Sequence, residues 1–223
     1  MATIKVSGLV LREELVDESN KRLTILTKQL GKVQVFARGA RNAKSKLAFT
    51  ILSCCEFVLY DGGNFFSLTQ VSPQRHFSNI LQDYDAFVAS CFILELADKT
   101  LLAGMDAKKA LRLVVLSLAR LDKTHNHKVI LAVFIFKFLQ IEGYMPMLKG
   151  ESFGEDGLGE NGRHVVTPTA DAIRYIITSE IDKIFNFKVS QAVADELLEC
   201  ALFFLRANVD AQLKSMKFFS ACN

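Results

Sequence analysis

Near residue 76 of this 223-residue chain the hydrophobic pattern changes period, and that change divides it into a strand-forming part and a helix-forming part. Upstream, apolar residues recur at every second position. Ile4, Val6 and Val10 alternate with Leu9 and Leu11, Arg22–Thr27 makes a second strand, and Lys32–Ala37 a third after the Leu30-Gly31 turn. Cys55–Tyr60 is the fourth, the Asp61-Gly62-Gly63-Asn64 string is a hairpin turn, and Phe65–Val71 is the fifth. Five short β-rich strands in a domain of this size suit a small closed barrel such as the OB-fold, with an SH3-like barrel as the alternative.

Downstream the apolar spacing becomes helical. Tyr84–Leu102 is apolar at nearly every helical step. Asp106 can cap a helix through Leu121 whose inner face holds Leu111, Val114, Val115 and Leu118. Lys128–Ile141 is apolar enough to be buried nearly all round. Thr167-Pro168 opens a helix through Ile177, Ser190 caps one through about Ala207, and a short helix covers Ala211–Phe219. The expected fold class is α+β: a five-stranded OB-fold β-barrel over residues 1–76, then an all-α helical domain over residues 77–223, with the boundary between Pro73 and Asn79.

Composition narrows the function classes. Half of the residues are hydrophobic and 23% are charged, which describes a globular chain rather than a disordered one. The longest apolar run, Val129–Phe136, falls well short of the roughly 20 residues a membrane span needs. The opening Met1–Gly8 has no basic region followed by an apolar stretch, so no signal peptide is expected. The five cysteines (Cys54, Cys55, Cys91, Cys200 and Cys222) are odd in number and nowhere spaced as CxxC. Reduced thiols in a cytoplasm, most of them packed as small apolar residues, are the expectation.

The net charge of +3 conceals a strong asymmetry. Residues 1–80 carry eleven Lys and Arg against six Asp and Glu, whereas the remainder carries sixteen against eighteen. From Ser19 to Cys55 there is no acidic residue, but there are eight cations: Lys21, Arg22, Lys28, Lys32, Arg38, Arg41, Lys44 and Lys46. The string Arg38-Gly39-Ala40-Arg41-Asn42-Ala43-Lys44-Ser45-Lys46 follows the third strand as a loop. Its small residues permit close approach of a nucleic-acid backbone, its arginines match phosphate bidentately, and its lysines add point charge. We therefore expect DNA contacts from Arg38, Arg41, Lys44 and Lys46, supported by Lys21, Arg22 and Lys32, directed at phosphates and blind to sequence. Phe36, Phe49, Phe57, Phe65 and Phe66 lie near the patch. Most must fill the barrel, but adjacent Phe65 and Phe66 point to opposite faces, which leaves one partly exposed for base stacking.

No catalytic constellation is visible. Gly157-Leu-Gly-Glu-Asn-Gly162 matches GxGxxG, yet it follows no strand, opens no helix and is flanked by Glu155 and Asp156, which would repel a pyrophosphate. Lys149–Gly162 is instead read as a flexible acidic loop. His76, His125, His127 and His164 have no metal-ligand spacing. Glu13, Glu14, Asp17 and Glu18 are read as a turn between the first two strands. A nuclease or nucleotidyl transferase would need metal-binding carboxylates in the basic domain, and no such set is present. The chain is read as a non-enzyme with no cofactor and no metal.

The residues that fix the expectation further are Val6-Ser-Gly-Leu-Val-Leu-Arg12, Leu23-Thr-Ile-Leu-Thr27, Gly31-Lys32 and Ala37-Arg-Gly-Ala-Arg41 with Lys44-Ser45-Lys46. Later come Tyr84–Leu96, Glu142-Gly-Tyr-Met-Pro146, Phe185-Asn-Phe-Lys-Val189 and Leu213-Lys-Ser-Met-Lys-Phe218. In this order they resemble successive parts of the RecO family along nearly the whole chain. The resemblance implies a bacterial, cytoplasmic and nucleoid-associated recombination mediator in DNA repair, in the RecFOR pathway. It would bind single- and double-stranded DNA, anneal complementary strands, and with RecR promote RecA loading on DNA coated by single-stranded DNA-binding protein (SSB). Many members carry a four-cysteine zinc module shortly after the Gly-Tyr-x-Pro segment. Here the corresponding stretch, about 147–166, is shortened and free of cysteine, so no zinc is expected. The acidic, hydrophobic C-terminal tail of SSB calls for an apolar floor with a cationic rim, and Lys128, Phe134, Lys137 and Phe138 share one helix that would supply it. The alternative function is a protein-interaction adaptor without intrinsic DNA binding.

Overall fold

Antiparallel pairing of the alternating segments closes the strand-forming part on itself. β1 (Ala2–Leu15) pairs with β2 (Lys21–Thr27) and β4 (Ser53–Asp61), β2 pairs with β3 (Gly31–Ala37), and β4 pairs with β5 (Phe66–His76). A short parallel seam, Val35 to Phe66 and Phe36 to Ser67, joins β3 to β5 and completes a closed barrel of order β1-β2-β3-β5-β4. This is the five-stranded barrel of the OB-fold, and closure leaves no open edge. The computed structural model describes residues 2–40, 51–63, 65–149, 152–154 and 163–220. The chain packs as two compact units, one of residues 1–111 with 213–223, the other of residues 112–212.

In the first unit, the barrel interior is filled by Val6, Val10, Leu23, Ile25, Val35, Cys55, Phe57, Leu59, Leu68 and Val71. Leu9, Leu11 and Leu26 are buried as well, on the opposite strand faces. A register shift between Val10 and Arg12 adds the residue that turns the end of β1. α1 (Tyr84–Thr100), capped by the Asp83 carboxylate accepting from the Ala86 N–H at 3.0 Å, packs against β1. β1 is thus covered on both faces, and the unit containing the barrel runs past the strand-to-helix change at Phe77 to Leu111.

A polar cluster fixes this packing. Arg12 Nε donates to Asp98 Oδ2 at 2.7 Å, and Lys32 Nζ donates to the Asp98 carbonyl at 2.6 Å, with the Asp98 carboxylate 4.0 Å away. Asp98 is itself buried. Gly31 adopts φ 64°, and a Cβ there would lie 1.9 Å from the Met105 carbonyl oxygen, so only glycine lets the segment after α1 run beside β3. That approach is pinned by the Gly104 N–H donating to the Lys32 carbonyl at 3.1 Å. The C-terminal residues belong to the same unit. Glu95 of α1 accepts from the Lys214 and Ser215 N–H groups, both at 2.8 Å, and from Ser215 Oγ at 2.5 Å. The expected last helix is a 3-10 turn, Lys214–Met216, running into the one-turn α6 (Lys217–Ser220).

α2 (Lys108–Leu121) crosses the division at residue 111, and the second unit is built round α3 (His127–Ile141). Every residue from Ile130 to Leu139 is buried, and α3 packs on α4 (Thr167–Thr178) and α5 (Gln191–Asn208). α4 begins at Thr167 itself, with Val166 as its N-cap and no side-chain cap, so Pro168 takes the second helical position rather than the first, and Ser190 caps α5. Lys137 donates to the carbonyls of Ile176, Ile177 and Ser179 at 3.2, 3.1 and 2.6 Å, which places a cation on the open carbonyls at the end of α4. Between α3 and α4 the flexible loop expected over 149–162 gives way in part to a small sheet. β6 (Met147–Lys149), β7 (Ser152–Gly154) and β8 (Arg163–His164) pair in that order. The GxGxxG string at 157–162 lies outside the described residues.

Asp98→Ala leaves the half-buried Lys32 ammonium and the Arg12 guanidinium without their shared carboxylate. Urea unfolding is expected to show a loss of about 1–3 kcal/mol, the cost of an unsatisfied buried polar group; an unchanged midpoint would mean the cluster does not hold α1 to β1.

Candidate nucleic-acid interface

The β1–β2 hairpin decides which cations face solvent unopposed. Antiparallel register sets Glu14 opposite Arg22, and Arg22 Nε donates to Glu14 Oε2 at 3.0 Å, while Arg12 also contacts Glu14. Lys21 Nζ lies 3.2 Å from Glu13 Oε2. Glu13 and Glu14, expected in a turn, therefore belong to β1. Lys32 is anchored on Asp98, and burial holds its ammonium below the ordinary lysine pKa. With its side chain only 16% exposed, it is part of the packing rather than of an open basic surface. The pairs of Lys21 and Arg22 are partly solvated, worth about 0–1 kcal/mol each, so a phosphate can replace either carboxylate.

Arg38 is different. It is the first residue after β3, it is exposed, and its side chain makes no ion pair among the described residues. Arg41, Lys44 and Lys46 lie outside the described residues. The start of the basic segment is nonetheless positioned. Asp17 Oδ1 accepts from the Ser19 and Asn20 N–H groups at 2.8 and 2.9 Å, Asp17 Oδ2 accepts from Asn20 Nδ2 at 2.7 Å, and Asn20 Oδ1 accepts from the Gly39 N–H at 2.9 Å. Gly39 sits at φ 63°. The β1–β2 turn thus grips the residue next to Arg38. The hydrogen bond from the Ser19 N–H, followed by those from Asn20, holds the Asp17 carboxyl below the usual carboxylate pKa.

Where β3 and β5 close the barrel, a groove of about 370 Å³ is lined by Arg22, Gln34, Val35, Phe36, Phe65 and Phe66. Strand alternation puts Gln34 and Phe36 on the outer face of β3, with Val35 turned into the core. Phe66 packs against the core, whereas Phe65 is 53% exposed, as the opposed-face argument for this pair required. The Gly62 N–H donates to the Phe65 carbonyl at 3.1 Å, and the Phe65 ring lies over Gly62. Sequence reading missed that Gln34 and Phe36 share a groove with Phe65. Their meeting depends on the β3–β5 seam, which joins residues 31 positions apart.

The four residues expected to receive the SSB tail do not form a surface. Phe134 and Phe138 are fully buried with rings stacked 5.2 Å apart, Lys137 is committed to the α4 carbonyls, and Lys128 Nζ lies 2.5 Å from Asp195 Oδ1. An apolar helix packed on two others has no free floor to offer a peptide. The 147–166 stretch contains no cysteine, so its residues do not fit a tetrahedral thiolate site. Cys54, Cys55, Cys91 and Cys200 are free thiols, and burial pushes Cys55 up to about 11. No helix among the described residues is long and apolar enough to cross a membrane.

A closed barrel of OB strand order, with an acid-free basic segment beside an aromatic groove and a helical body following it, places the chain in the class of OB-fold proteins with a helical C-terminal part. Residues 1–77 match the family model "Recombination protein O N terminal" and residues 81–217 match "Recombination protein O C terminal". The chain is 26% identical to the DNA repair protein RecO of Acetivibrio thermocellus over 98% of this chain and 96% of that one. It is 24% identical to that of a Thermoanaerobacter species, over 99% and 98%, and 30% identical to that of Alkaliphilus metalliredigens, over 65% and 60%. The chain belongs to the RecO family of DNA repair and recombination proteins.

Asn20→Ala removes the bond to Gly39 and should speed hydrogen exchange of the Gly39 amide about two- to tenfold, the local worth of one hydrogen bond, with the thermal midpoint nearly unchanged. Because the Asp17 pKa is depressed in the fold, its contribution is present above the ordinary carboxylate value. It is lost as pH falls through the lower folded value, so acid should reproduce the Asn20→Ala exchange pattern in the wild type. Protection of Gly39 that survives both treatments would show that the turn does not hold it.

Proposed function

We propose that this protein is a non-catalytic recombination mediator. It binds single- and double-stranded DNA through the barrel, anneals complementary strands, and acts with RecR to promote RecA loading on SSB-coated DNA. The observation that carries the DNA contact is Arg38, an exposed guanidinium with no carboxylate partner among the described residues, at the head of a segment that contains no acid. Arg41, Lys44 and Lys46 follow Arg38 in the sequence, and Arg22 lines the groove. Lys21 adds charge next to Arg22, and Lys32 acts through the fold. Contacts of this type grip phosphate without reading bases, which suits a protein that must act on any damaged sequence. The roles of RecR, RecA and SSB rest on family membership, and the SSB tail requires a surface other than the buried face of α3.

A second reading, a protein-interaction adaptor, draws on the engagement of Lys21, Arg22 and Lys32 by Glu13, Glu14 and Asp98. Salt titration separates the two. For single strands, log affinity falls with log salt by about 0.7 per phosphate contact, so Arg38→Glu with Arg41→Glu should flatten the slope by about 1.4. A wild-type protein that binds neither form of DNA at low salt would leave only the adaptor.

A further inference from the structure

Resting on the DNA-binding reading above, we infer that the groove at the β3–β5 seam seats one unpaired base of single-stranded DNA, and that stacking on Phe65 sets the preference of the barrel for single strands over duplex. Charge alone gives no such preference, since a basic loop attracts both forms. An aromatic ring can stack only on a base face that is not already stacked on its neighbours. In duplex DNA both faces of every base are occupied within the helix, so the Phe65 ring has nothing to receive.

The groove fits that occupant in size and chemistry. Its 370 Å³ falls at the lower end of small-molecule sites, about 300–1,000 Å³, which is room for one base with its sugar. Phe36 and Phe66 supply apolar walls, and Phe65 offers an exposed ring beside the turn at Gly62. Gln34 is the one neutral polar side chain of the lining. Its amide both donates and accepts, so it can meet the edge of any base without selecting one. Arg22 stands at the lip with a partly solvated carboxylate partner that a phosphate can displace, and Arg38 follows Phe36 by two residues on the way out of β3. A strand whose base enters the groove therefore meets the Arg22 cation in the lining, with Arg38 two residues beyond Phe36. An apolar side chain of a protein partner would not use that charge.

The test compares a labelled single strand with its duplex, by anisotropy on the full-length chain, for the wild type and for Phe65→Ala, Phe65→Leu and Phe65→Tyr. Ala and Leu are expected to weaken single-strand binding about five- to 150-fold, the range for loss of one stacked base, and to leave duplex binding within about twofold. Tyr, which keeps the ring, should bind as wild type. A single strand with one abasic position at each site in turn should show a lesser penalty on Phe65→Leu than on wild type, because the stacking partner is already gone. Single-strand affinity of Phe65→Leu equal to wild type, or an equal loss for duplex, overturns the assignment of the groove. Absence of wild-type binding to either form overturns the DNA reading itself, a distinct result. Should Phe65→Ala melt below the assay temperature, the Leu and Tyr pair carries the comparison, since both keep the apolar volume.

Discussion

The burial of β1 on both faces governs the rest of the first unit. A barrel strand ordinarily shows one face to the core and one to water, but here Leu9 and Leu11 are covered as fully as Val6 and Val10. α1 supplies the cover, and the Arg12–Asp98–Lys32 cluster fixes where it lies. This arrangement has an electrostatic consequence. It draws two cations of the basic half into the packing, and the continuation of β1 through Leu15 brings Glu13 and Glu14 across from Lys21 and Arg22. At the exit of β3 that leaves Arg38 exposed with no ion pair among the described residues. The surface that can attract a polyanion is thus smaller than the charge count implies, and Arg38 follows by two residues Phe36, which lines a groove with the exposed ring of Phe65.

Much of this architecture was legible in the residues. Strict alternation marked the five strands, and caps and proline placed α4 and α5 within a residue or two, because those signals are local. The misses have equally physical origins. β6, β7 and β8 are two or three residues long, too short for any period to declare itself. Glu13 and Glu14 were assigned to a turn because acidic residues disfavour strands, whereas pairing with Arg22 and Lys21 across the hairpin compensates them. Lys137 and the two phenylalanines of α3 looked like a cationic rim over an apolar floor. Helical periodicity cannot distinguish an outward face from an inward one when nearly every position is apolar, and α3 is covered by α4 and α5. The acid-free segment from Ser19 to Cys55 was visible at once, but which of its cations are committed depends on partners as distant as Asp98.

The Asp17–Asn20–Gly39 relay shows how the residues leaving β3 can be positioned without a core of their own. Arg38 leaves β3 with a strand direction already defined, and the next residue is captured by the β1–β2 turn. A guanidinium so placed loses less freedom on meeting a phosphate than one on an untethered chain, and preorganisation of this kind raises affinity without adding contacts. The relay is built from short polar side chains, which make Asx turns readily and occupy little space beside a strand of nucleic acid.

The proposed annealing role sets a conflict between holding single strands and letting them pair, and the proposed one-base seat bears on it. A base stacked on Phe65 is unavailable for pairing, and stacking of this kind is worth about 1–3 kcal/mol. Each step of duplex formed gains about 1.4 kcal/mol of stacking. A long aromatic platform would oppose annealing over many bases, and the opposition would grow with its length. A seat for one base opposes it by roughly one or two steps of duplex, which a growing helix overcomes as it zips through. Phosphate contacts impose no such conflict, because a paired strand presents its backbone as well as an unpaired one does. A single aromatic seat beside a basic segment can therefore favour capture of a single strand and still release it as product.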